Sequence, residues 1–256
     1  MKNFVKYLLF VLALALFVCV TAMVRMQARE RRHLTTCKHV EINFEDTLNF
    51  VSEADVRGYL KKDFPTFIGQ RIDSLRLHEI EHSLDSRSAI LSTQAWTSDS
   101  TLFISIVQRE PAARLENTDH SFYIDDRGFI FPIQGECTKK FPVIKGSLPL
   151  YEPVGYKGQP TTEKGREWTE SMLKLLSQMH RNKWEDRLKH IEVAPDGCLT
   201  LVPLEGKEHF IFGKAENTAE KFEKINEYYT RIKPAVDEDY YTTVNVQYKG
   251  QIICRK

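Results

Sequence analysis

The feature that most constrains this chain is an uncharged apolar run near its amino terminus. Residues 7–24 read YLLFVLALALFVCVTAMV and contain no Asp, Glu, Lys or Arg. As a helix this run would extend about 27 Å, close to the roughly 30 Å apolar thickness of a bilayer. Basic residues flank it on both sides, whereas a buried core helix would not favour such flanks. The run predicts a retained transmembrane helix at residues 7–24, preceded by a short segment at residues 1–6 and followed by a juxtamembrane linker at residues 25–37.

Two other interpretations of this run stay open: a cleaved signal peptide and a lipoprotein signal. Residues 20–22 (VTA) form a passable small-residue cleavage site, but the run is longer than the usual core of a signal peptide. Val18 precedes Cys19, where a lipoprotein signal needs a small residue. Charge bias does not decide the orientation, because Lys2 and Lys6 on one side face four arginines on the other.

The charge balance of the chain argues against nucleic-acid binding. The 256 residues contain 36 Lys plus Arg and 35 Asp plus Glu, a net charge of +1. Residues 1–32 alone carry +5, so the remainder carries −4 and lacks the basic footprint of a nucleic-acid binder. Apolar residues at 42% and charged residues at 28% are typical of a globular protein and exclude a mainly disordered chain.

Four cysteines follow the apolar run, at Cys37, Cys137, Cys198 and Cys254. They form no C-x-x-C pair, so the spacing of metal ligands is absent. In an oxidising compartment they could form two disulfides with three possible connectivities. The alternative interpretation is that some of them are small buried apolar residues.

Hydrophobic periodicity predicts a small two-layer domain after the linker. Strand and helix patterns alternate in the order β-α-α-β-β, with Ser52 as the cap of the first helix and Asp73 or Ser74 at the start of the second. This order is sufficient for two helices packed over a three-stranded sheet. The predicted strands are residues 39–44, 88–96 and 101–107.

Beyond Pro111 short strands and turns predominate, interrupted by two amphipathic helices. One helix has Trp168, Met172, Leu175 and Met179 on a single face, and the other is capped by Thr218. The last predicted strand is residues 240–248, which alternate strictly between apolar or aromatic and polar side chains. The fold class is therefore α+β, with domains at residues 38–111 and 112–256.

One catalytic pattern occurs, in the sequence His78-Glu79-Ile80-Glu81-His82. It matches the H-E-x-x-H pattern, in which two His bind zinc and the Glu activates water, and so suggests a membrane-anchored protease as an alternative function. Asp85 and Ser88 stand where the longer pattern requires Gly and a third His. Because a catalytic zinc needs a third protein ligand, we expect a solvated helix face here, with no catalytic residue, metal or cofactor.

Four segments in order resemble the bacterial cell division proteins of the FtsQ/DivIB family. They stand behind the apolar run, and the resemblance covers roughly residues 38–254. Asn245 and Gln247 depart from the Asp and Arg that are usual in the last of them. The segments are residues 108–113 (QREPAA), 122–131 (FYIDDRGFIF), 141–146 (FPVIKG) and 244–251 (VNVQYKGQ).

The resemblance implies a single-pass, non-enzymatic scaffold of the divisome that serves septum formation in the cell cycle. It implies an N-terminus in the cytoplasm and a body on the outer, periplasmic side of the cytoplasmic (inner) membrane, at the division septum. Residues 38–111 would be a POTRA domain that contacts other divisome components. The β domain would bind coiled-coil partners of the FtsB (DivIC) and FtsL types, linking early and late division proteins.

The partner-binding residues implied by the resemblance lie in the final strand region. A late strand with unpaired backbone groups is a template for a partner strand, although these side chains could instead complete the core. The candidates are Tyr248, Lys249, Gly250, Gln251, Ile252, Ile253 and Cys254. A different POTRA-bearing envelope assembly protein is a further alternative, but it would need a β-barrel that residues 112–256 are too few and too helical to form.

Overall fold

The structure, a computed structural model, describes residues 12–26, 35–117, 120–133, 139–237 and 239–256. It divides into two compact units. The amino-terminal unit comprises Met1–Thr47 and Val51–Gln108, and the carboxy-terminal unit comprises Leu48–Phe50 and Arg109–Lys256.

Helix α1 covers residues 12–26, so it includes most of the predicted transmembrane helix. Its large apolar side chains are exposed. Residues 7–11, the predicted segment 1–6 and residues 27–34 of the predicted linker lie outside the described residues. None of the helices in the described ranges has the combined length and hydropathy that a bilayer crossing requires. The membrane anchor therefore stays a prediction.

The amino-terminal unit has the predicted order of strands and helices. The order in its sheet is β1-β3-β2, with β1 parallel and β2 antiparallel to the central β3. The elements are β1 (His39–Phe44), α2 (Glu53–Asp63), α3 (Leu77–Asp85), β2 (Ile90–Ser98) and β3 (Thr101–Gln108).

A local sequence signal explains the start of helix α2 but not that of helix α3. The Ser52 hydroxyl accepts the Asp55 N–H, and the Asp55 carboxylate accepts the Ser52 N–H, forming the capping box that starts α2. The predicted second helix is wrong at its start, because a 3₁₀ turn occupies Ile72–Ser74 and α3 begins at Leu77. Apolar residues of both helices and of β3 form the core: Val56, Leu60, Ile80, Leu84, Leu102, Ile104 and Ile106.

In its described residues the carboxy-terminal unit has a nine-stranded sheet and two α-helices, as the β-rich α+β prediction requires. The strand order is β12-β11-β10-β9-β8-β7-β4-β5-β6, and three of the eight pairings are parallel: β4 with β7, β7 with β8, and β10 with β11. The strands are β4 (Pro111–Glu116), β5 (Ser121–Asp125), β6 (Ile130–Pro132), β7 (Val143–Gly146), β8 (Leu188–Val193), β9 (Leu199–Pro203), β10 (His209–Gly213), β11 (Thr243–Asn245) and β12 (Ile253–Arg255).

Helices α4 (Glu163–Arg181) and α5 (Thr218–Glu227) contribute to the same hydrophobic core as the sheet. Trp184, which follows α4, is fully buried and lies against Phe210 and Phe222. A fully buried side chain of this kind contributes about 2 kcal/mol through the hydrophobic effect. The arrangement anchors α5 beside the strands that end the chain.

The predicted last strand is wrong in its length. Only Thr243–Asn245 form β11, and the chain then turns before β12. The Asn245 side-chain oxygen accepts the Gln247 N–H at 3.0 Å, a local bond that competes with continued strand pairing. Val244 and Val246 are buried as the alternation predicts, whereas Tyr240 and Tyr248 are exposed.

Three of the four cysteines considered for disulfides, Cys37, Cys198 and Cys254, are free thiols. Cys137 lies outside the described residues. Of the two interpretations that the sequence left open, pairing of all four cysteines in two disulfides does not occur, since three of them are free. Burial raises the pKa of the Cys37 and Cys254 thiols above the ordinary value for cysteine. A raised pKa favours the uncharged thiol, which packs as a small apolar group.

Candidate partner-binding edge

The seven predicted partner-binding residues fall into two structural parts. Tyr248–Gly250 form the turn after β11, and Ile253 and Cys254 belong to β12. Gln251 and Ile252 connect the two parts. The structure therefore places this set around one short hairpin.

The side chains of this hairpin differ in what they contact. Tyr248 is 51% exposed, and Lys249, Gly250 and Gln251 are exposed as well. Ile252 and Cys254 pack against the hydrophobic core. Ile253 is half-buried and is not part of that packing. The hairpin thus has apolar side chains on the core side and an accessible surface around Tyr248 and Ile253.

Strand β12 is the last strand on its side of the nine-stranded sheet. It pairs antiparallel with β11, its one partner among the described strands, with Val244 opposite Cys254 and Asn245 opposite Ile253. An antiparallel strand bonds to one neighbour through alternate residues only, so the remaining backbone groups of an outermost strand point away from the sheet. In the part of the chain that the structure describes, no strand pairs with this outer side.

Helix α5 holds the turn between β11 and β12 from one side. Lys224 donates from Nζ to the carbonyl oxygens of Val246, at 3.3 Å, and Tyr248. Its third contact is an ion pair with Glu220, at 2.9 Å, one helical turn earlier. Glu220 Oε1 also accepts the Gly250 N–H at 3.0 Å. The bond to Gly250 and the neighbouring ammonium of Lys224 lower the pKa of Glu220 below its ordinary value.

The opposite edge of the same sheet is covered. At strand β6 the Ile130 N–H donates to the Gly158 carbonyl at 2.8 Å, and the Gly158 N–H donates back at 2.9 Å. Pro132 ends β6 and has no N–H to offer. A connecting loop therefore occupies the position that an additional strand would take.

Both edges of the three-stranded sheet are bonded by side chains of its own helices. Arg57 of α2 donates from Nη2 to the Val40 carbonyl of β1 at 2.9 Å. Glu81 of α3 accepts the Ala95 N–H of β2 at 2.8 Å. Edge groups that are already bonded make poor templates for an incoming strand.

The H-E-x-x-H pattern of α3 is a solvated helix face, as expected. The His78 side chain is 95% exposed, and His82 is exposed. Glu79 forms an ion pair with Arg76 at 2.9 Å. Within the described ranges, no group of three or more His, Cys, Asp or Glu side chains is arranged to hold a metal ion.

Sequence reasoning missed the contribution of α5 to the hairpin. Glu220 and Lys224 are spaced i, i+4, which on most helices indicates a surface ion pair. The available signal was the position of Lys224 between Phe222 and Ile225, which belong to the apolar face that α5 buries. A buried carboxylate of this unit, Glu208, pairs with Lys233 at 2.7 Å.

Together these features define a class: a small β-α-α-β-β module followed by an open β-rich sheet that, within the described residues, has one uncovered edge. Comparison with protein families assigns residues 35–107 to the POTRA-like domain. Residues 110–255, more than half of the chain, match the family described as FtsQ/DivIB, C-terminal related. The chain belongs to the FtsQ/DivIB family. No curated protein matches it.

Proposed function

We propose that this protein is a non-enzymatic scaffold of the bacterial divisome that captures a partner along the outer side of β12. Membership of the FtsQ/DivIB family supports a scaffold role in cell division. The observation that carries the partner-binding part is the uncovered edge of β12. An added strand would gain main-chain hydrogen bonds there, and side chains beside the edge would select the partner.

The contrast between edges makes β12 the docking candidate. The outer side of β6 is occupied by Gly158, whereas Arg57 and Glu81 bond to the edges of the three-stranded sheet. Among the described strands, β12 alone is an outermost strand without such a contact. A chain that protects its other edges and leaves one open is expected to use the open one.

The partners that fit this proposal are coiled-coil division proteins of the FtsB (DivIC) and FtsL types. A segment leaving a coiled coil in extended form would supply the strand that β12 lacks. The POTRA-like domain would contact other divisome components. We do not propose that the POTRA-like domain binds a partner by adding a strand to its sheet, because side chains of its own helices bond to both sheet edges.

The proposal includes the membrane topology predicted from the sequence. Residues 7–24 would anchor the chain in the cytoplasmic membrane, with residues 1–6 in the cytoplasm and residues 25–37 as the linker. The domains at residues 38–111 and 112–256 would lie on the outer side, at the division septum. This topology gives the scaffold access to the extracytoplasmic parts of its partners.

Co-purification of the full chain with an FtsB-type partner tests the docking edge. We expect Ile253→Glu to abolish capture, because a carboxylate beside β12 opposes both packing and the approach of a partner strand. Val154→Glu is the matched control, since Val154 is a 78% exposed aliphatic residue in a loop of the same unit. Ile252→Arg is less suitable, because Ile252 packs against the core.

Equal recovery of the partner with Ile253→Glu and with Val154→Glu would refute docking at β12. Localisation of a tagged full chain in dividing cells tests the division role separately. Enrichment at mid-cell that depends on residues 38–256 supports it, and an even distribution around the envelope contradicts it.

A further inference from the structure

Each N–H donor of the Lys224 ammonium group has an acceptor at one end of the candidate docking edge, the outer side of β12. Its side chain is 8% exposed, and its ammonium group has three N–H donors. Three acceptors meet them: the carbonyls of Val246 and Tyr248 and the carboxylate of Glu220. A buried ammonium is stable only when its donors are satisfied in this way.

Glu220 contacts both Lys224 and the backbone of the same turn. One oxygen, Oε1, accepts both from Lys224 and from the Gly250 N–H. Gly250 has φ +66°, a left-handed conformation that reverses the chain between β11 and β12. The pair therefore bonds to the backbone at Val246, Tyr248 and Gly250, three alternate residues through the turn.

We propose that Glu220 and Lys224 are positioning residues that fix the turn so that β12 is held ready for an incoming partner strand. The inference rests on the proposed function, because it assigns these residues a role at the same docking edge. Strand β12 has only three residues and, among the described strands, one neighbour, so its own pairing gives it little rigidity. A preorganised edge binds more tightly because less ordering remains to be done on association.

Two variants remove the contacts and two conservative variants preserve part of them. Lys224→Met keeps the aliphatic stem and removes all three donors, and Glu220→Ala removes the shared acceptor. Lys224→Arg keeps donors, and Glu220→Gln keeps an oxygen for the Gly250 N–H. The matched control is the exposed i, i+4 pair of α4, Glu170 and Lys174, whose charged atoms lie 2.7 Å apart.

Hydrogen exchange of the partner-free full chain reports the turn directly. For Lys224→Met and Glu220→Ala we expect amide exchange in residues 246–254 to be about tenfold faster, since hydrogen bonds to charged groups are lost. Affinity of the full chain for an FtsB-type partner should fall about tenfold as well. Glu220→Gln and Lys224→Arg should recover part of both changes, and Glu170→Ala and Lys174→Met should change neither.

The outcomes separate this inference from the proposed function. Faster exchange with partner affinity unchanged within twofold would overturn the positioning role and leave docking at β12 intact. Unchanged exchange would overturn it also. If Lys224→Met fails to fold, the question is decided by comparing Glu220→Ala with Glu220→Gln in hydrogen exchange and in affinity for the partner. Failure of the docking proposal itself is detected by Ile253→Glu, which leaves Glu220 and Lys224 unaltered.

Discussion

Arg109 and Asp125 form a buried ion pair that joins two of the segments on which the family resemblance rests. Arg109 Nη1 lies 2.5 Å from Asp125 Oδ2, and the two side chains are only 12% and 4% exposed. The other carboxylate oxygen accepts the N–H groups of Arg127 and Phe129 in the turn between β5 and β6. The Arg109 guanidinium also lies 3.9 Å from the centre of the Phe129 ring. One side chain thus ties the start of the carboxy-terminal unit to its first hairpin.

Arg109→Ala should destabilise the carboxy-terminal unit by about 3 kcal/mol, because it leaves the Asp125 carboxylate buried without its cation. Urea unfolding of the full chain in a Trp96→Phe background, followed by tryptophan fluorescence, measures the change, because Trp168 and the buried Trp184 then report the carboxy-terminal unit. Arg231→Ala is the control, since Arg231 is 77% exposed and pairs with Glu227 on the surface; it should cost less than about 0.5 kcal/mol. Similar losses for both variants would contradict this assignment.

Gly146→Ala should also destabilise the carboxy-terminal unit, by about 3 kcal/mol. Gly146 has φ +115°, and a Cβ there would lie 2.4 Å from the Val193 carbonyl oxygen on the paired strand β8. Gly155→Ala is a control that also has a positive φ, +80°, but has nothing within 4 Å of the added carbon. Its cost should be about 1 kcal/mol. Urea midpoints of the two variants make the comparison, and equal midpoints would contradict a steric cost from the close approach of Gly146 to Val193.

Glu81→Ala should expose the edge of β2 in the POTRA-like domain. The Ala95 N–H loses its acceptor, which costs about 1.5 kcal/mol and leaves an unpaired edge donor. We expect the variant to self-associate as its concentration rises, as unprotected edge strands do. Sedimentation velocity measures the association, with Glu79→Ala as the control because Glu79 pairs with Arg76 on the helix surface. A monomeric Glu81→Ala protein at every concentration would refute the protective role of Glu81.

The contacts of Glu220 should weaken in acid. Its pKa is lower in the folded chain than its ordinary value of 4.5, first through the Gly250 N–H and then through Lys224. The stabilisation is therefore complete above about pH 4.5 and is lost as the pH falls through the lower folded pKa. The amide chemical shift of Gly250, followed by NMR between pH 6 and pH 2, should titrate in that lower range. In Glu220→Gln this titration should disappear, and its persistence would assign it to another group.

Local signals in the sequence predict the amino-terminal unit well. The alternation of His39–Phe44 gives β1 at the observed residues, and Ser52 caps α2 through a contact with Asp55 three residues away. Such signals act within one turn or one strand, so they are present in the sequence itself. The same alternation failed at residues 240–248, where the Asn245 side chain bonds to Gln247 and ends β11 early.

The order of the nine-stranded sheet could not be predicted from such signals. Strand β7 lies between β4 and β8, and the close approach of Gly146 to Val193 depends on that long-range pairing. For the same reason the sequence did not reveal the two side chains of α5 that bond to the turn between β11 and β12. Contacts between Lys224 and Tyr248 span 24 residues and follow from tertiary packing alone.

Site-specific photocrosslinking in dividing cells tests docking at β12 most directly. A photoreactive amino acid at position 253 of the full chain should crosslink to an FtsB-type partner, because Ile253 lies in β12 outside the core packing. The same amino acid at position 170, a 69% exposed site on α4, should give no such product. A partner crosslinked from position 170 but not from position 253 would contradict the account.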